Sequence, residues 1–124
     1  MKKILFIEDE SALQRAATRI LTDQGYQTLS AMDGETGVAL AQKEMPDLIL
    51  LDLIIPKKDG FTVLEELKKD EKTKSIPVIV LTNLEGNADV ERALLLGATT
   101  YLVKTNYQLE EVVEKIKGIL DAKS

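Results

Sequence analysis

The sequence predicts an α/β fold in which a doubly wound, five-stranded parallel sheet carries helices on both faces. Short aliphatic runs recur along the chain, and each interval between them has room for one helix. Three of the runs are nearly continuous, as expected of strands buried on both faces. The intervening segments repeat apolar residues with helical spacing. Strands that alternate with helices favour a parallel sheet with right-handed crossovers.

Five runs are predicted to form the strands. The most apolar runs are residues 4–7, 48–51 and 78–81, and we expect them at the centre of the sheet. Residues 27–31 and 99–103 form more polar runs. These two strands should therefore lie nearer the edges of the sheet.

The first and last helices each show an apolar stripe that should face the sheet. The stripe of the first helix is Leu13, Ala16, Ala17, Ile20 and Leu21. The stripe of the last helix is Leu109, Val112, Val113, Ile116, Ile119 and Leu120.

Helix starts are predicted from residues that can cap the first free backbone N–H groups. Two pairs have the spacing of a capping box, namely Ser11 with Gln14 and Thr105 with Gln108. For the three helices between them, the predicted N-caps are Asp33, Asp59 and Asn87.

The composition of the 124 residues indicates one globular domain over residues 1–124, with 44% hydrophobic and 30% charged residues. The chain has neither cysteine nor histidine, which excludes thiol catalysis, disulfides and an imidazole base. Its net charge of -5 disfavours direct nucleic-acid binding. No apolar run approaches the length of a membrane span of about 20 residues. We expect a cytoplasmic domain that contacts no membrane.

Ligands of an open α/β sheet bind beyond the carboxyl ends of its strands. Acidic, hydroxyl and amino side chains follow four of the predicted strands at this edge. They are Glu8, Asp9 and Glu10 after the first strand, Asp52 after the third, Thr82 after the fourth and Lys104 after the fifth. Glu10 is expected to be solvated and is given no role.

These residue types suit phosphoryl transfer. Crowded carboxylates repel one another unless a cation intervenes, and oxygen ligands without histidine or cysteine favour Mg²⁺. A carboxylate beside Mg²⁺ can attack phosphorus and form an aspartyl phosphate. A lysine such as Lys104 neutralises charge on the transferred group, and Thr82 would donate a hydrogen bond to a phosphoryl oxygen.

At these residues the sequence resembles the receiver domains of two-component response regulators, over essentially its whole length. The matching pieces are Glu8-Asp9, residues 52–60 (DLIIPKKDG), Leu81-Thr82 and residues 101–104 (YLVK). The resemblance implies a flavodoxin-like receiver fold, which is a doubly wound fold with strand order 2-1-3-4-5.

The resemblance also implies a role for each site residue. Asp52 would be the phosphoacceptor. Mg²⁺ would be bound by Asp9, Asp52 and the backbone carbonyl of Ile54, and Glu8 would act through water. Thr82 and Lys104 would contact the phosphoryl group, and Thr82 and Tyr101 would form the switch. A histidine kinase or phosphotransfer protein would be the donor. The surface of the fourth helix, fifth strand and fifth helix would then bind a downstream protein or a second copy of the chain.

Several positions depart from the family pattern. Thr105 follows Lys104 where proline is usual, so a cis peptide is not expected there. Asn83 follows Thr82 where a smaller residue is common, and it is expected to crowd the phosphate; Lys58 replaces a frequent methionine with little consequence. Ile54 and Leu84, two residues beyond Asp52 and Thr82, should exclude an attacking water. We therefore predict slow self-dephosphorylation.

Three other functions compete with that of a phosphorylated switch. A receiver-like module that only binds a partner has no need of clustered acids. A phosphatase of the haloacid dehalogenase type should have a second acid two residues after the nucleophile, where this chain has Ile54. The sequence contains neither a G-x-x-x-x-G-K-[ST] loop nor a G-x-G-x-x-G turn after the first strand, so it does not support a nucleotide-binding enzyme. The expectation is a signalling domain and not an enzyme.

Overall fold

The computed structural model describes residues 1–123, which form a single parallel sheet of five strands. The strands are β1 (Lys3–Ile7), β2 (Gln27–Ala31), β3 (Leu48–Leu51), β4 (Val78–Thr82) and β5 (Thr100–Val103). Their order in the sheet is β2-β1-β3-β4-β5, with every pair parallel. The predicted strand order and the placement of the two more polar strands at the edges are therefore confirmed.

Five α-helices connect or follow the strands. They are α1 (Ser11–Asp23), α2 (Gly34–Glu44), α3 (Gly60–Lys69), α4 (Asn87–Leu95) and α5 (Leu109–Lys123), with a short 3₁₀ turn at Lys104–Asn106. Within residues 1–123, no helix is long and apolar enough to cross a membrane. Every peptide bond in this part of the chain is trans, including the bond between Lys104 and Thr105.

The sheet is packed on both faces, which explains its near-continuous aliphatic strands. Alternate residues of each central strand point to opposite sides, so that Leu5 and Ile7 pack with α2, α3 and α4, while Ile4 and Phe6 pack with α1 and α5. All four residues of β3 and all five of β4 are buried. The carboxyl ends of β1, β3 and β4 are thus rigidly placed at the middle of one sheet edge.

Two of the predicted helix caps are confirmed. The Asp33 carboxylate accepts a hydrogen bond of 2.7 Å from the backbone N–H of Thr36. The Asp59 carboxylate accepts from the N–H groups of Phe61 and Thr62, at 2.9 and 3.2 Å. Each aspartate satisfies donors that the first turn of a helix leaves free.

The other three predicted caps are wrong. Helix α1 begins at Ser11 itself, with Glu10 at the N-cap and no side-chain hydrogen bond at the cap. The side-chain amide of Gln14 donates to the carbonyl oxygen of Phe6 in β1 instead. Helix α4 begins at Asn87, with Gly86 as its N-cap. Thr105 lies in the 3₁₀ turn, and at the start of α5 the Glu111 carboxylate accepts a hydrogen bond of 2.8 Å from the backbone N–H of Gln108.

The predicted stripe of α1 is also narrower than expected. Ala17 and Leu21 are buried and Leu13 and Ile20 are half-buried, but Ala16 is exposed. The face of α1 that meets the sheet includes Gln14 instead, which is 5% exposed. A polar residue thus occupies a position on the buried face, three and seven residues before Ala17 and Leu21.

Candidate functional site

The predicted site residues lie together beyond the carboxyl ends of four strands. Backbone hydrogen bonds extend the sheet to the first residue after β1 and β3: the N–H of Glu8 donates to Ala31 at 2.9 Å, and the N–H of Asp52 donates to Ile7 at 3.0 Å. Both acids therefore hold positions fixed by the sheet ladder. Thr82 is the last residue of β4, and Lys104 directly follows β5.

Lys104 forms two ion pairs across the site. Its ammonium nitrogen lies 2.6 Å from Oε1 of Glu8 and 2.9 Å from Oδ2 of Asp52. The three side chains are 15%, 1% and 6% exposed, respectively. Because the three side chains are largely buried, solvent screens the interactions between their charges only weakly. The lysine consequently holds the ends of β1, β3 and β5 together.

The pKa values of Glu8 and Lys104 reflect this environment. Burial raises the pKa of the Glu8 carboxyl, and hydrogen bonds from Lys104 and the Glu10 N–H offset only part of the increase. Burial alone lowers the pKa of the Lys104 ammonium, but its bonds to Glu8 and Asp52 outweigh burial, and the pKa lies above its ordinary value. Lys104 is therefore a permanent cation at neutral pH.

Glu8, Asp9 and Asp52 form a cluster of oxygen ligands. One carboxylate oxygen from each residue lies within 4.8 Å of the other two, and Asp9 is exposed while Glu8 and Asp52 are buried. Oxygen ligands of this kind bind hard divalent cations, and a site of few carboxylates completed by water suits Mg²⁺. The residues present thus fit the cation that the sequence predicts.

The hydroxyl of Thr82 is buried at the end of β4. Its side chain is 0% exposed, and among the described residues Oγ1 has no hydrogen-bond partner. An unpaired buried hydroxyl is unfavourable, since it loses its bonds to water without replacement. An acceptor oxygen delivered to this end of the sheet would satisfy it.

Tyr101 links β5 to the loop that follows Thr82. Its hydroxyl donates a hydrogen bond of 2.9 Å to the carbonyl oxygen of Leu84, and the half-buried ring packs against the core on the α3 and α4 side. Burial raises the pKa of the Tyr101 phenol, and the negative charges of Asp89 and Asp52 add to the increase. The predicted switch residue therefore contacts the loop between β4 and α4 directly.

The loop after Asp52 is held by close backbone packing. The N–H of Ile54 donates to Oδ1 of Asp52 at 3.2 Å, and the N–H of Gly60 donates to Leu53 at 2.9 Å. A Cβ atom at Gly60 would lie only 2.3 Å from the Cα of Leu53 and 2.7 Å from the carbonyl oxygen of Asp52. Only glycine allows α3 to begin so close to the predicted phosphoacceptor.

Three more predicted residues lie at the rim of the site. Ile54 is 56% exposed and Leu84 is half-buried. Asn83 is exposed and lines a cavity of about 290 Å³ beside Lys104, together with Glu10 and Tyr107. Whether Asn83 crowds a phosphoryl group stays a prediction.

Sequence reasoning overlooked two groups that shape the site. The Glu10 side chain is exposed, as expected, but its backbone N–H donates to Oε2 of Glu8 at 3.0 Å. The side chain of Gln14 bonds to the backbone at the ends of β1 and β2. The signal available in the sequence is a polar residue on the buried side of α1, whose spacing from Ser11 also fits a helix cap.

Comparison with known proteins agrees with this geometry. The family model of the response regulator receiver domain matches residues 4–117. The DNA-binding dual master transcriptional regulator RpaA of Synechocystis is 41% identical over 120 residues, which cover 97% of this chain and 49% of that regulator. This chain thus spans about half the length of that relative.

Solved structures of receiver domains have the same fold. A CheY-like response regulator receiver domain protein from Methanospirillum hungatei superimposes with a TM-score of 0.91 at 28% identity, covering 98% of this chain and 95% of its own. The receiver domain of the sensor histidine kinase PA1611 from Pseudomonas aeruginosa gives a TM-score of 0.86 at 28% identity, covering 97% and 98%, and was solved with a magnesium ion coordinated in its active-site cleft.

The fold and the acidic site are those of a receiver domain of the flavodoxin-like class. The chain belongs to the response regulator receiver domain family and hence to two-component signalling proteins.

Proposed function

We propose that Asp52 accepts a phosphoryl group from a histidine kinase or phosphotransfer protein in a Mg²⁺-dependent reaction, within a cytoplasmic signalling pathway. The observation that supports this most strongly is the surroundings of Asp52. A buried carboxylate lies beside two further acids, within 2.9 Å of the Lys104 ammonium, and close to the strand end that carries an unpaired buried hydroxyl. A site that served only as a scaffold would gain nothing from such crowding.

In the transfer, a carboxylate oxygen of Asp52 forms a bond to phosphorus while the bond between phosphorus and the donor nitrogen breaks. The donor imidazole leaves with the bonding electron pair, and a mixed anhydride remains on Asp52. Lys104 carries the counter-charge for the phosphoryl oxygens, and the Thr82 hydroxyl donates a hydrogen bond to one of them.

The cation would be held by the carboxylates of Asp9 and Asp52 and by the backbone carbonyl of Ile54. Bound there, Mg²⁺ would neutralise charge on the phosphoryl oxygens as a Lewis acid. Glu8 is buried and paired with Lys104, which supports a role through water rather than as a direct ligand.

The switch follows from the links between Thr82, Leu84 and Tyr101. A phosphoryl group adds negative charge and strong acceptors, which would draw Thr82 and Lys104 toward Asp52. The loop after β4 would shift, and the hydrogen bond from Tyr101 to Leu84 would carry that shift to the surface of α4, β5 and α5. That surface would then bind a downstream protein or a second copy. The chain acts as a signalling domain whose only chemistry is on its own aspartate, and it makes no direct contact with nucleic acid.

The proposal can be tested with beryllium trifluoride, which forms a tetrahedral adduct on a carboxylate and mimics a phosphoryl group. With Mg²⁺ present, we expect the backbone NMR resonances of Asp52, Thr82, Tyr101 and Lys104 to shift together, and not in Asp52→Asn. A folded wild-type protein that forms no adduct would favour the alternative, a receiver-like module that binds a partner without being phosphorylated.

A further inference from the structure

Gln14 is a buried polar residue that connects the first helix to the end of the sheet. The residue is 5% exposed, and the amide nitrogen lies 2.8 Å from the carbonyl oxygen of Phe6, 3.0 Å from that of Glu8 and 3.1 Å from that of Ala31. The side chain thus donates hydrogen bonds to carbonyl groups near the end of β1, at the end of β2 and at the first position after β1.

The orientation of this amide is fixed by the groups around it. Three carbonyl oxygens surround the nitrogen, and reversing the amide would place its own oxygen against them. In the observed orientation Oε1 is buried and has no hydrogen-bond partner among the described residues. The amide nitrogen thus serves three backbone acceptors, while the oxygen of the same amide stays unpaired.

The backbone that Gln14 holds is the one that carries the acidic pair. The Glu8 N–H is already bound to Ala31 at 2.9 Å, and Gln14 holds the Glu8 carbonyl, so both sides of this residue are fixed. That carbonyl belongs to the peptide plane shared with Asp9. Within residues 1–123, no hydrogen bond or ion pair holds the Asp9 carboxylate. Its position therefore depends on the backbone that carries it.

We propose that Gln14 is a positioning residue for the divalent-cation site: by holding the carbonyl of Glu8, it keeps the carboxylate of Asp9 within reach of Asp52. The inference rests on the proposed function, since it assumes that Glu8, Asp9 and Asp52 form a cation site. Residues that orient metal ligands without contacting the metal typically contribute 10- to 100-fold to metal affinity.

The test is the variant Gln14→Met, which keeps the length of the side chain and removes its donor. The probe is Mn²⁺ alone, whose free concentration is measured by electron paramagnetic resonance. We expect the dissociation constant to rise roughly 10- to 100-fold in this variant. Two controls should bind Mn²⁺ as the wild type does. Gln42→Met makes the same change at an exposed amide of α2, which donates to the carboxylate of Asp70. Leu21→Val loosens the buried side of α1 two turns from Gln14.

The outcomes separate this inference from the proposed function. A wild-type protein that does not bind Mn²⁺ contradicts the cation site itself. A folded Gln14→Met protein that binds Mn²⁺ as tightly as the wild type contradicts only the role of Gln14.

A second measurement uses the wild-type protein and so does not depend on how the variant folds. On titration with Mg²⁺, the side-chain amide resonances of Gln14 should shift along with the backbone resonances of Glu8 and Asp9. Resonances of Gln14 that stay fixed while those of Asp9 move would overturn the inference.

Discussion

The ammonium nitrogen of Lys104 lies 2.6 Å from Oε1 of Glu8, and this contact joins the end of β5 to the end of β1 across the two strands between them. The same nitrogen is 2.9 Å from Oδ2 of Asp52, which directly follows the intervening strand β3. A single lysine therefore compensates two buried acids that would otherwise repel each other. It also holds the far edge of the sheet against the acidic cluster.

Replacing this lysine should destabilise the protein. In Lys104→Met the carboxylates of Glu8 and Asp52 lose their buried cation, and the free energy of unfolding at pH 7 should fall by about 3 kcal/mol. The loss should shrink when Mg²⁺ is added, because a bound cation supplies the missing charge. Urea unfolding with and without Mg²⁺ measures both effects.

The control for this prediction is Lys58→Met. Lys58 pairs with Glu66 at 2.7 Å, but the two side chains are 26% and 43% exposed. An ion pair in contact with solvent contributes at most about 1 kcal/mol. A Lys104→Met protein no less stable than Lys58→Met would contradict the compensating role of Lys104.

The close packing of Gly60 against the loop that carries Asp52 gives a second prediction. In Gly60→Ala the new methyl group meets backbone atoms of Leu53 and Asp52 that have no room to yield. The variant should lose roughly 3 kcal/mol of stability and bind Mn²⁺ more weakly, because the loop must move. In Gly118→Ala the methyl group meets no atom within 4 Å, and α5 should gain about 1 kcal/mol. Equal stability of the two variants in thermal unfolding would be inconsistent with the packing described.

Acid should weaken the start of α3 through Asp59. Burial raises the pKa of the Asp59 carboxyl, but hydrogen bonds from Thr62 and Phe61 and the charge of Arg92 outweigh it, and the pKa lies below its ordinary value. The ionised cap therefore stabilises the fold above the unfolded pKa of about 3.9, and this contribution is lost as the pH falls through the lower folded pKa.

Unfolding of the wild type and Asp59→Asn between pH 7 and pH 3 measures this contribution. Asparagine is an equally good N-cap without the charge, so the variant isolates the titration. The difference in stability between the two proteins should be constant at neutral pH and should diminish below about pH 4. A difference that stayed the same throughout would show that Asp59 does not titrate with a lowered pKa.

The outline of the fold could be predicted from the sequence because burial on both faces leaves a strong local signal. Residues 48–51 are aliphatic without interruption, and they form the central strand β3 with the predicted bounds. The site was predicted for a related reason, since polar residues such as Asp52 and Lys104 directly follow such runs. The order of the strands came from the family resemblance and not from the residues one by one.

The contacts that were not predicted join residues far apart in the sequence. The spacing of Ser11 and Gln14 fits a helix cap, and nothing local reveals that Gln14 instead meets carbonyl groups of two neighbouring strands. The ion pair of Lys104 with Glu8 also depends on how β5 and β1 are placed in three dimensions. The start of α5 is predicted one turn too early because a 3₁₀ turn, Lys104–Asn106, precedes the helix and includes Thr105.

The lifetime of the phosphorylated state should be long, because the side chains that we expect to flank the path of an attacking water are apolar. Ile54 is exposed at the rim and Leu84 is half-buried, and neither can orient a water molecule. In the double variant Ile54→Asn with Leu84→Glu, polar groups at both positions could do so, and dephosphorylation should be at least about tenfold faster. The control Ile54→Leu should decay like the wild type. A double variant with an unchanged decay rate would show that these residues do not set the lifetime.

The most direct measurement of the central claim is the intact mass of the protein after incubation with Mg²⁺ and acetyl phosphate. We predict a single phosphoryl adduct in the wild type, and none in Asp52→Asn or in the wild type with EDTA. That pattern would establish the phosphoacceptor and the cation requirement together. A folded wild-type protein without an adduct, or an adduct that persists in Asp52→Asn, would contradict the assignment of Asp52.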